Sequence, residues 1–291
     1  MAISASQVKE LRERTGAGMM ECKKALVESD GDMDAAAEAL RKAGAAKADK
    51  KAGRVAADGR VVVAREGANA VVVEVNSETD FVAKDENFVA FAEAVANAAL
   101  ASGTTDVAAL ANETLPDGQT VEAARTELIQ KIGENIGVRR VAAVDASGVF
   151  ASYSHGARIA AAVALEGGDE ELARDIAMHI TATNPMCVDE SGVPSDTLEN
   201  ERRILTEQAQ DSGKPAEIIE KMVMGRVNKF LKEITLVGQP FVKDPDTTVG
   251  KLLDSKGASV KQFVRMEVGE GIEKKEENFA EEVMAQVKGA S

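Results

Sequence analysis

Arg60-Val61-Val62-Val63 and Ala70-Val71-Val72-Val73-Glu74-Val75 stand on either side of Glu66-Gly67-Ala68-Asn69. Two β-branched runs joined by a short Gly- and Asn-containing turn predict a β-hairpin. Just downstream, Phe88, Phe91, Ala92, Val95 and Ala99 recur at helical spacing, so a helix with one apolar face follows the hairpin. The same order returns later. Residues 148–159 lay over 59–70 without a gap, His155-Gly156 falls on Glu66-Gly67, and residues 159–165 match 70–76. Another helix follows, with Leu172, Ile176 and Ile180 on its inner face. Two hairpin–helix units imply an internal duplication and an α+β fold. The copies differ at one place. The second joins strand to helix through Glu166-Gly167-Gly168-Asp169, whereas the first inserts Ser77-Glu78-Thr79-Asp80-Phe81-Val82-Ala83-Lys84.

Working outward, residues 1–54 read as a small helical unit. Ser4 or Ser6 caps a helix bearing Val8 and Leu11, Thr15-Gly16-Ala17-Gly18 ends it, and two more helices carry Met19, Cys22, Leu26 and Met33, Ala36, Ala37, Leu40. Residues 45–57, rich in Lys and Ala, read as a linker. A loop at Leu115-Pro116-Asp117-Gly118 precedes a helix with Val121, Leu128, Ile129 and Ile132. Beyond Asn184-Pro185, two amphipathic helices (Leu198, Leu205, Ala209; Ile219, Met222, Val223, Val227, Phe230, Ile234) are joined by Asp211-Ser212-Gly213-Lys214-Pro215, an αα-hairpin. Gln239-Pro240-Phe241-Val242 reads as a loop. A short helix (Val249, Leu252, Leu253), a strand over residues 260–268 and a last helix with Phe279, Val283 and Val287 complete the chain.

Composition narrows the function. The 291 residues carry 49 acidic and 35 basic side chains, a net charge of −14, which opposes phosphate binding as a main role. The basic stretch Lys47, Lys50, Lys51, Arg54 reads as a solvated part of the linker. Apolar residues make up 44% of the chain, but aromatics only 3%, so the cores are built from Val, Ile, Leu, Ala and Met. No apolar run reaches the length of a membrane helix, and Met1-Ala2-Ile3-Ser4 resembles no targeting signal. The two cysteines, Cys22 and Cys187, suit neither a disulfide framework nor a zinc site, and a reduced, cytoplasmic protein is expected. GxxxxGK[ST], GxGxxG and HExxH are absent, and no nucleophile motif accompanies His155 or His179. His179 falls on the apolar side of its helix and reads as a buried structural residue. His155 sits at a turn. Asp80 with Asp85 or Glu86 offers a carboxylate pair of a kind common in any acidic chain. No enzyme, cofactor or metal site is expected.

The inserted segment 78–85 places a large aromatic at a loop-to-helix junction. In one reading Thr79 or Asp80 caps the helix and Phe81 tucks beneath it as a hydrophobic staple. In the other, Phe81 faces outward and anchors a protein interface. The segment Thr79-Asp80-Phe81-Val82-Ala83-Lys84-Asp85 resembles the signature of the bacterial elongation factor Ts family, the exchange factors of elongation factor Tu. Leu11-Arg12-Glu13-Arg14-Thr15-Gly16-Ala17-Gly18-Met19-Met20, Lys131-Ile132-Gly133-Glu134-Asn135-Ile136, His155-Gly156-Ala157-Arg158-Ile159, Gly238-Gln239-Pro240-Phe241-Val242 and residues 268–274 resemble further blocks of that family, in its order.

The resemblance implies a UBA-like three-helix module (1–54), core subdomain N (55–145), core subdomain C (146–186 and 235–270), a coiled-coil αα-hairpin (187–234) and a C-terminal module (271–291). It also implies what the protein does, which is to bind elongation factor Tu and promote GDP release by disturbing the partner's Mg²⁺ and phosphate site, with no direct nucleotide, nucleic-acid or membrane binding. By the same resemblance, Thr79, Asp80, Phe81 and Val82 reach the Mg²⁺ edge, while Lys23, Ile132, Gly133, His155, Val242 and Lys243 make other partner contacts. The αα-hairpin is open to pairing two such complexes into a dimer of heterodimers. Two rival readings are a chaperone-like adaptor without exchange activity, whose affinity ignores GDP, and a hydrolase built around His155, which turns over without a partner.

Overall fold

The computed structural model describes residues 3–211 and 214–273, so the expected helix at Phe279, Val283 and Val287 lies outside the described residues, as do Ser212 and Gly213 of the hairpin turn. The chain opens with three helices, α1 (Ala5–Thr15), α2 (Met19–Glu28) and α3 (Met33–Lys51). Ser4 caps α1 in a capping box with Gln7, and Gly16, at φ 66°, ends it. Leu11, Cys22, Leu26, Ala36 and Leu40 form the small core that none of these helices could bury alone. The expected linker is corrected here, because residues 45–51 continue α3. Ala and Lys are strong helix formers, and Ala48 is buried in one cluster with Phe91, Leu128 and Ile129.

Two three-stranded antiparallel sheets follow. The first has the order β1 (Asp58–Glu66), β2 (Asn69–Ser77), β3 (Gly137–Asp145), with α4 (Glu86–Ser102), the short α5 (Val107–Leu110) and α6 (Val121–Ile132) between β2 and β3. The second has the order β4 (Val149–His155), β5 (Ile159–Glu166) and β8 (Ser259–Glu267). Between β5 and β8 come α7 (Glu170–Thr183), the αα-hairpin α8 (Ser195–Gln210) and α9 (Ala216–Ile234), the small ribbon β6 (Pro240–Phe241) and β7 (Asp244–Thr248), and α10 (Val249–Ser255). In each copy, then, a hairpin is followed by a helix, and a third strand returns to pair with the hairpin's second strand. The strand β3 was not expected, and Pro240-Phe241 pairs as a two-residue strand rather than forming a plain loop.

The sheets stack face to face. Val61, Ala70, Val72 and Val144 of the first meet Phe150, Ala160, Ala162, Ala164 and Met266 of the second. The outer face of the first sheet packs on α4 and α6 through Val71, Val73, Val75, Phe88, Phe91, Val95 and Ile129. The outer face of the second packs on α7 and α10 through Ala161, Val163, Leu165, Ile176, Ile180 and Leu253. The result is a four-layer helix–sheet–sheet–helix arrangement. Both β2 and β5 are covered on two sides, which is why they read as unbroken apolar runs instead of alternating ones.

The gapless overlay of the two copies is corrected by one residue. Glu66 pairs with Asn69 around a two-residue turn, whereas His155 pairs with Ile159 around three residues. Ile159 therefore corresponds to Asn69, not Ala70. A slip of one would turn every side chain of β5 to the wrong face, whereas the shifted match sets Val71, Val73 and Val75 on Ala161, Val163 and Leu165, all facing helices. Each third strand also pairs through a β-bulge, opposite Glu74 and Val75 of β2 and opposite Ala164 and Leu165 of β5. The first bulge brings consecutive Arg139 and Arg140 onto the buried Glu74 carboxylate, at 3.1 and 2.5 Å. The backbone N–H of Gly269 donates to the same carboxylate at 2.8 Å, and this fixes where the chain leaves β8. Burial pushes the Glu74 carboxyl up, but the hydrogen bonds from Gly269, Arg140 and Asn76 outweigh it and hold the group below its ordinary range.

Candidate functional site

The strand ladder of β2 ends at Ser77, so the next backbone N–H groups need other acceptors. Both are taken by Glu134, in the turn after α6. Its Oε2 accepts from the N–H of Glu78 at 3.1 Å and of Thr79 at 3.0 Å, and its Oε1 accepts from the Thr79 hydroxyl at 2.7 Å. Glu78 reciprocates, its Oε1 accepting from the backbone N–H of Asn135 at 2.6 Å. Arg54 approaches that same oxygen at 3.5 Å, and the Asn135 side chain donates to the Arg54 carbonyl at 2.8 Å.

Val82–Lys84 then form one 3-10 turn, with Val82 and Ala83 buried in the first core. Asp85 caps α4, accepting from the N–H groups of Asn87 at 2.9 Å and Phe88 at 3.3 Å. Neither Thr79 nor Asp80 is the cap. Phe81 is not tucked under the helix but is 81% exposed, more than any other large apolar side chain among the described residues. Of the two readings left open by the sequence, the staple therefore fails. Asp80 lies exposed next to Phe81 and pairs with Lys84 at 2.7 Å, a hydrogen bond that holds its carboxyl below the usual range. Val82 anchors the turn from below and offers little surface of its own.

His155 is exposed at the end of β4. Its turn is pinned to the first copy and to the end of β8. The Ala157 carbonyl accepts from the N–H of Val61 at 2.9 Å, the Arg158 carbonyl accepts from that of Val268 at 2.8 Å, and the Arg158 side chain pairs with Asp58. Asp58 faces Ser77 in the β1–β2 ladder, which brings the turn beside the root of the Phe81 loop. Ile132 and Gly133 lie at the end of α6, directly before Glu134. Gly133, at φ 93°, stops the helix, and its carbonyl accepts from the Lys51 ammonium. One end of the stacked sheets thus gathers residues 79–82, 132–133 and the His155 turn.

Lys23, exposed on α2, and Val242 and Lys243, exposed between β6 and β7, lie on elements that do not join this group among the described residues. The latter pair is held by buried His179, whose Nδ1 accepts from the N–H of Val242 at 3.2 Å. Its Nε2 therefore carries the proton and donates to Gln239 Oε1 at 2.9 Å. Lys243 pairs with Asp175 at 2.5 Å. A cleft of about 1190 Å³ between the first three helices and α6 is lined by Lys9, Arg12, Lys47, Lys50, Lys51 and Lys131, with Met19 and Met20 exposed at its edge. Among the described residues no cluster of His, Cys, Asp or Glu could hold a metal ion, and no helix is long and apolar enough to cross a membrane.

The family described as Elongation factor TS matches residues 78–270. The chain belongs to the elongation factor Ts family. Relatives named Elongation factor Ts agree over the whole length. The chain is 64% identical to that of Thioalkalivibrio sulfidiphilus (strain HL-EbGR7), and 61% identical both to that of Alkalilimnicola ehrlichii (strain ATCC BAA-1101 / DSM 17681 / MLHE-1) and to that of Methylococcus capsulatus (strain ATCC 33009 / NCIMB 11132 / Bath), with all of each chain covered. The elongation factor Ts match begins at Glu78, the residue that opens the Phe81 loop, and runs through both copies and the inserted helices to Glu270.

Proposed function

We propose that this member of the elongation factor Ts family is a translation factor that binds elongation factor Tu in its GDP form and speeds GDP release, with the Phe81 loop as the element that acts on the Mg²⁺ and phosphate edge of the partner. The observation that carries this role is an 81% exposed Phe81 on a loop tied at both ends. Exposing a large aromatic to water is unfavourable, and a rigid one is suited to entering a partner with little ordering cost. In a P-loop GTPase, backbone amides and Mg²⁺ hold the phosphates. A protein with no nucleotide site of its own ejects GDP if it binds the nucleotide-free form best, and linkage then requires GDP to weaken its binding by the same factor.

In this scheme Phe81 packs between partner helices that support Mg²⁺, Asp80 adds polar contacts, and Thr79 and Val82 hold the wedge from its own side. Ile132, Gly133 and His155 contact the partner around it. Lys23 on the first three helices, read as a UBA-like module, meets the nucleotide domain, and Val242 and Lys243 add a further contact. The division into units 1–54, 55–145, 146–186 with 235–270, 187–234 and 271–291 belongs to the same proposal. So do the coiled-coil character of α8–α9 and its capacity to pair two complexes. The separate small cores of the first three helices and of α8–α9 support that division. The protein performs no covalent chemistry and needs no cofactor.

The test is release of fluorescent GDP from purified elongation factor Tu with and without this chain, together with the affinity of the two proteins at rising GDP. Acceleration of release, and affinity that falls as GDP rises, are expected. An affinity indifferent to GDP would instead identify an adaptor.

A further inference from the structure

We infer that Glu134 is a positioning residue for the exchange step: its carboxylate holds the Phe81 loop in its acting geometry before the partner arrives. The inference rests on the function proposed above. Three donors converge on this one side chain, the N–H groups of Glu78 and Thr79 and the Thr79 hydroxyl, all between 2.7 and 3.1 Å. Hydrogen bonds to an ionised acceptor are the strong ones, and two of these donors have no ladder partner beyond Ser77. The clasp is reciprocal, since Glu78 accepts from Asn135 next to Glu134. Arg54, 3.5 Å from the Glu78 carboxylate, brings a positive charge to the same clasp.

The geometry has a direction. Gly133 turns the chain at the end of α6 in a left-handed conformation, which swings Glu134 back towards β2. On its far side the loop is fixed by buried Val82 and by the Asp85 cap. Phe81 therefore stands between two fixed points, and Glu134 supplies one of them. Lys51, at the end of α3, donates to the Gly133 carbonyl, and the Asn135 side chain donates to the Arg54 carbonyl. The orientation of the first three helices is thereby tied to the same turn that holds the wedge.

Without the clasp, the loop must be ordered on binding, which weakens the complex in which exchange occurs. Glu134→Ala is expected to slow the GDP release that this chain stimulates from its partner, at sub-saturating concentration, by roughly ten-fold. Glu134→Gln, which keeps an acceptor oxygen but not the charge, should fall between Ala and the native residue, and it carries the experiment if Glu134→Ala does not fold.

A general structural defect would slow release whatever occupies position 81. A positioning residue acts only through the wedge, so in a Phe81→Ala background Glu134→Ala should change the rate by less than about two-fold. Amide hydrogen exchange on the free protein supplies the second readout, with protection of Glu78 and Thr79 lost in Glu134→Ala and retained in Phe81→Ala. Native rates in both Glu134 variants, or the full ten-fold loss persisting without Phe81, overturn the clasp. A native rate in Phe81→Ala itself, with protection intact, overturns the wedge on which it rests.

Discussion

Phe81→Ala separates the interface role from a structural one by size alone. With 81% of the residue exposed, only about 40 Å² of a Phe surface of roughly 200 Å² is covered by its own chain. At about 25 cal/mol per Å², its truncation costs the fold at most about 1 kcal/mol. If the remaining area, about 160 Å², is buried in the nucleotide-free complex, the loss there is about 4 kcal/mol, close to 10³-fold in affinity. The expected result is a urea midpoint nearly unchanged and a sub-saturating GDP release rate reduced by about 10²- to 10³-fold. Stopped-flow release of fluorescent GDP and urea unfolding followed by circular dichroism measure the two. Native release rates would refute the wedge. A loss of about 3 kcal/mol or more in stability would refute the geometry, because that is the cost of truncating a buried Phe.

Three further outcomes follow from the scaffold. In Gly59→Ala the new Cβ would lie 2.1 Å from the Val75 carbonyl at φ 140°, and in Gly148→Ala 2.2 Å from that of Leu165; each should cost about 2 kcal/mol or more in urea unfolding. Glu74→Ala leaves the Gly269 N–H and the Asn76 amide without their acceptor and opens a buried gap, while Arg139 and Arg140 keep their bonds to Glu270; it should cost roughly 2–3 kcal/mol, read as a fall in the unfolding midpoint. Burial depresses the His179 pKa, while its Gln239 bond opposes this only in part. The unfolded chain therefore takes up a proton from about pH 6.5 downward before the folded one does. Stability from this residue is full above that pH and declines as the pH falls towards the folded value. Unfolding midpoints between pH 7.5 and 5.5 should show the slope, and His179→Gln should flatten it.

What could be read from the chain follows its physics. The hairpins were legible because β2 and β5 are covered on both faces and so are apolar throughout. Their register was not, because it depends on a two- against a three-residue turn that similar turn residues disguise. Strand β3 is hidden in the sequence because Arg139 and Arg140 interrupt its apolar pattern, and their reason for being there, buried Glu74, is remote in sequence. Residues 45–51 looked like a linker because the surface that α3 meets, Ala48 on the α4–α6 core and Gly44 against Gln130, is not visible locally. At the site, the segment 79–85 stood out as an interruption of the repeat. From the residues alone the direction of Phe81 is open, since Thr79, Asp80 and Asp85 are all competent caps and only the structure selects Asp85; the outward direction rests on the family resemblance. Glu134 lay within a conspicuous block, yet one acid after a helix-ending Gly gives no sign that its donors lie on the loop following β2.

The stacked sheets carry a consequence for how such a chain can be divided. Each sheet is closed by its own helices on one side and by the other copy on the other, through Val72 and Val144 against Ala160, Ala162 and Ala164. Severed near residue 146, either half would present that apolar wall to water and would have to find a replacement for its sibling. The duplicated halves therefore depend on each other for cover, and a lone half would need to pair with itself. The seam inside this molecule has the character of a subunit interface that a single chain has made permanent.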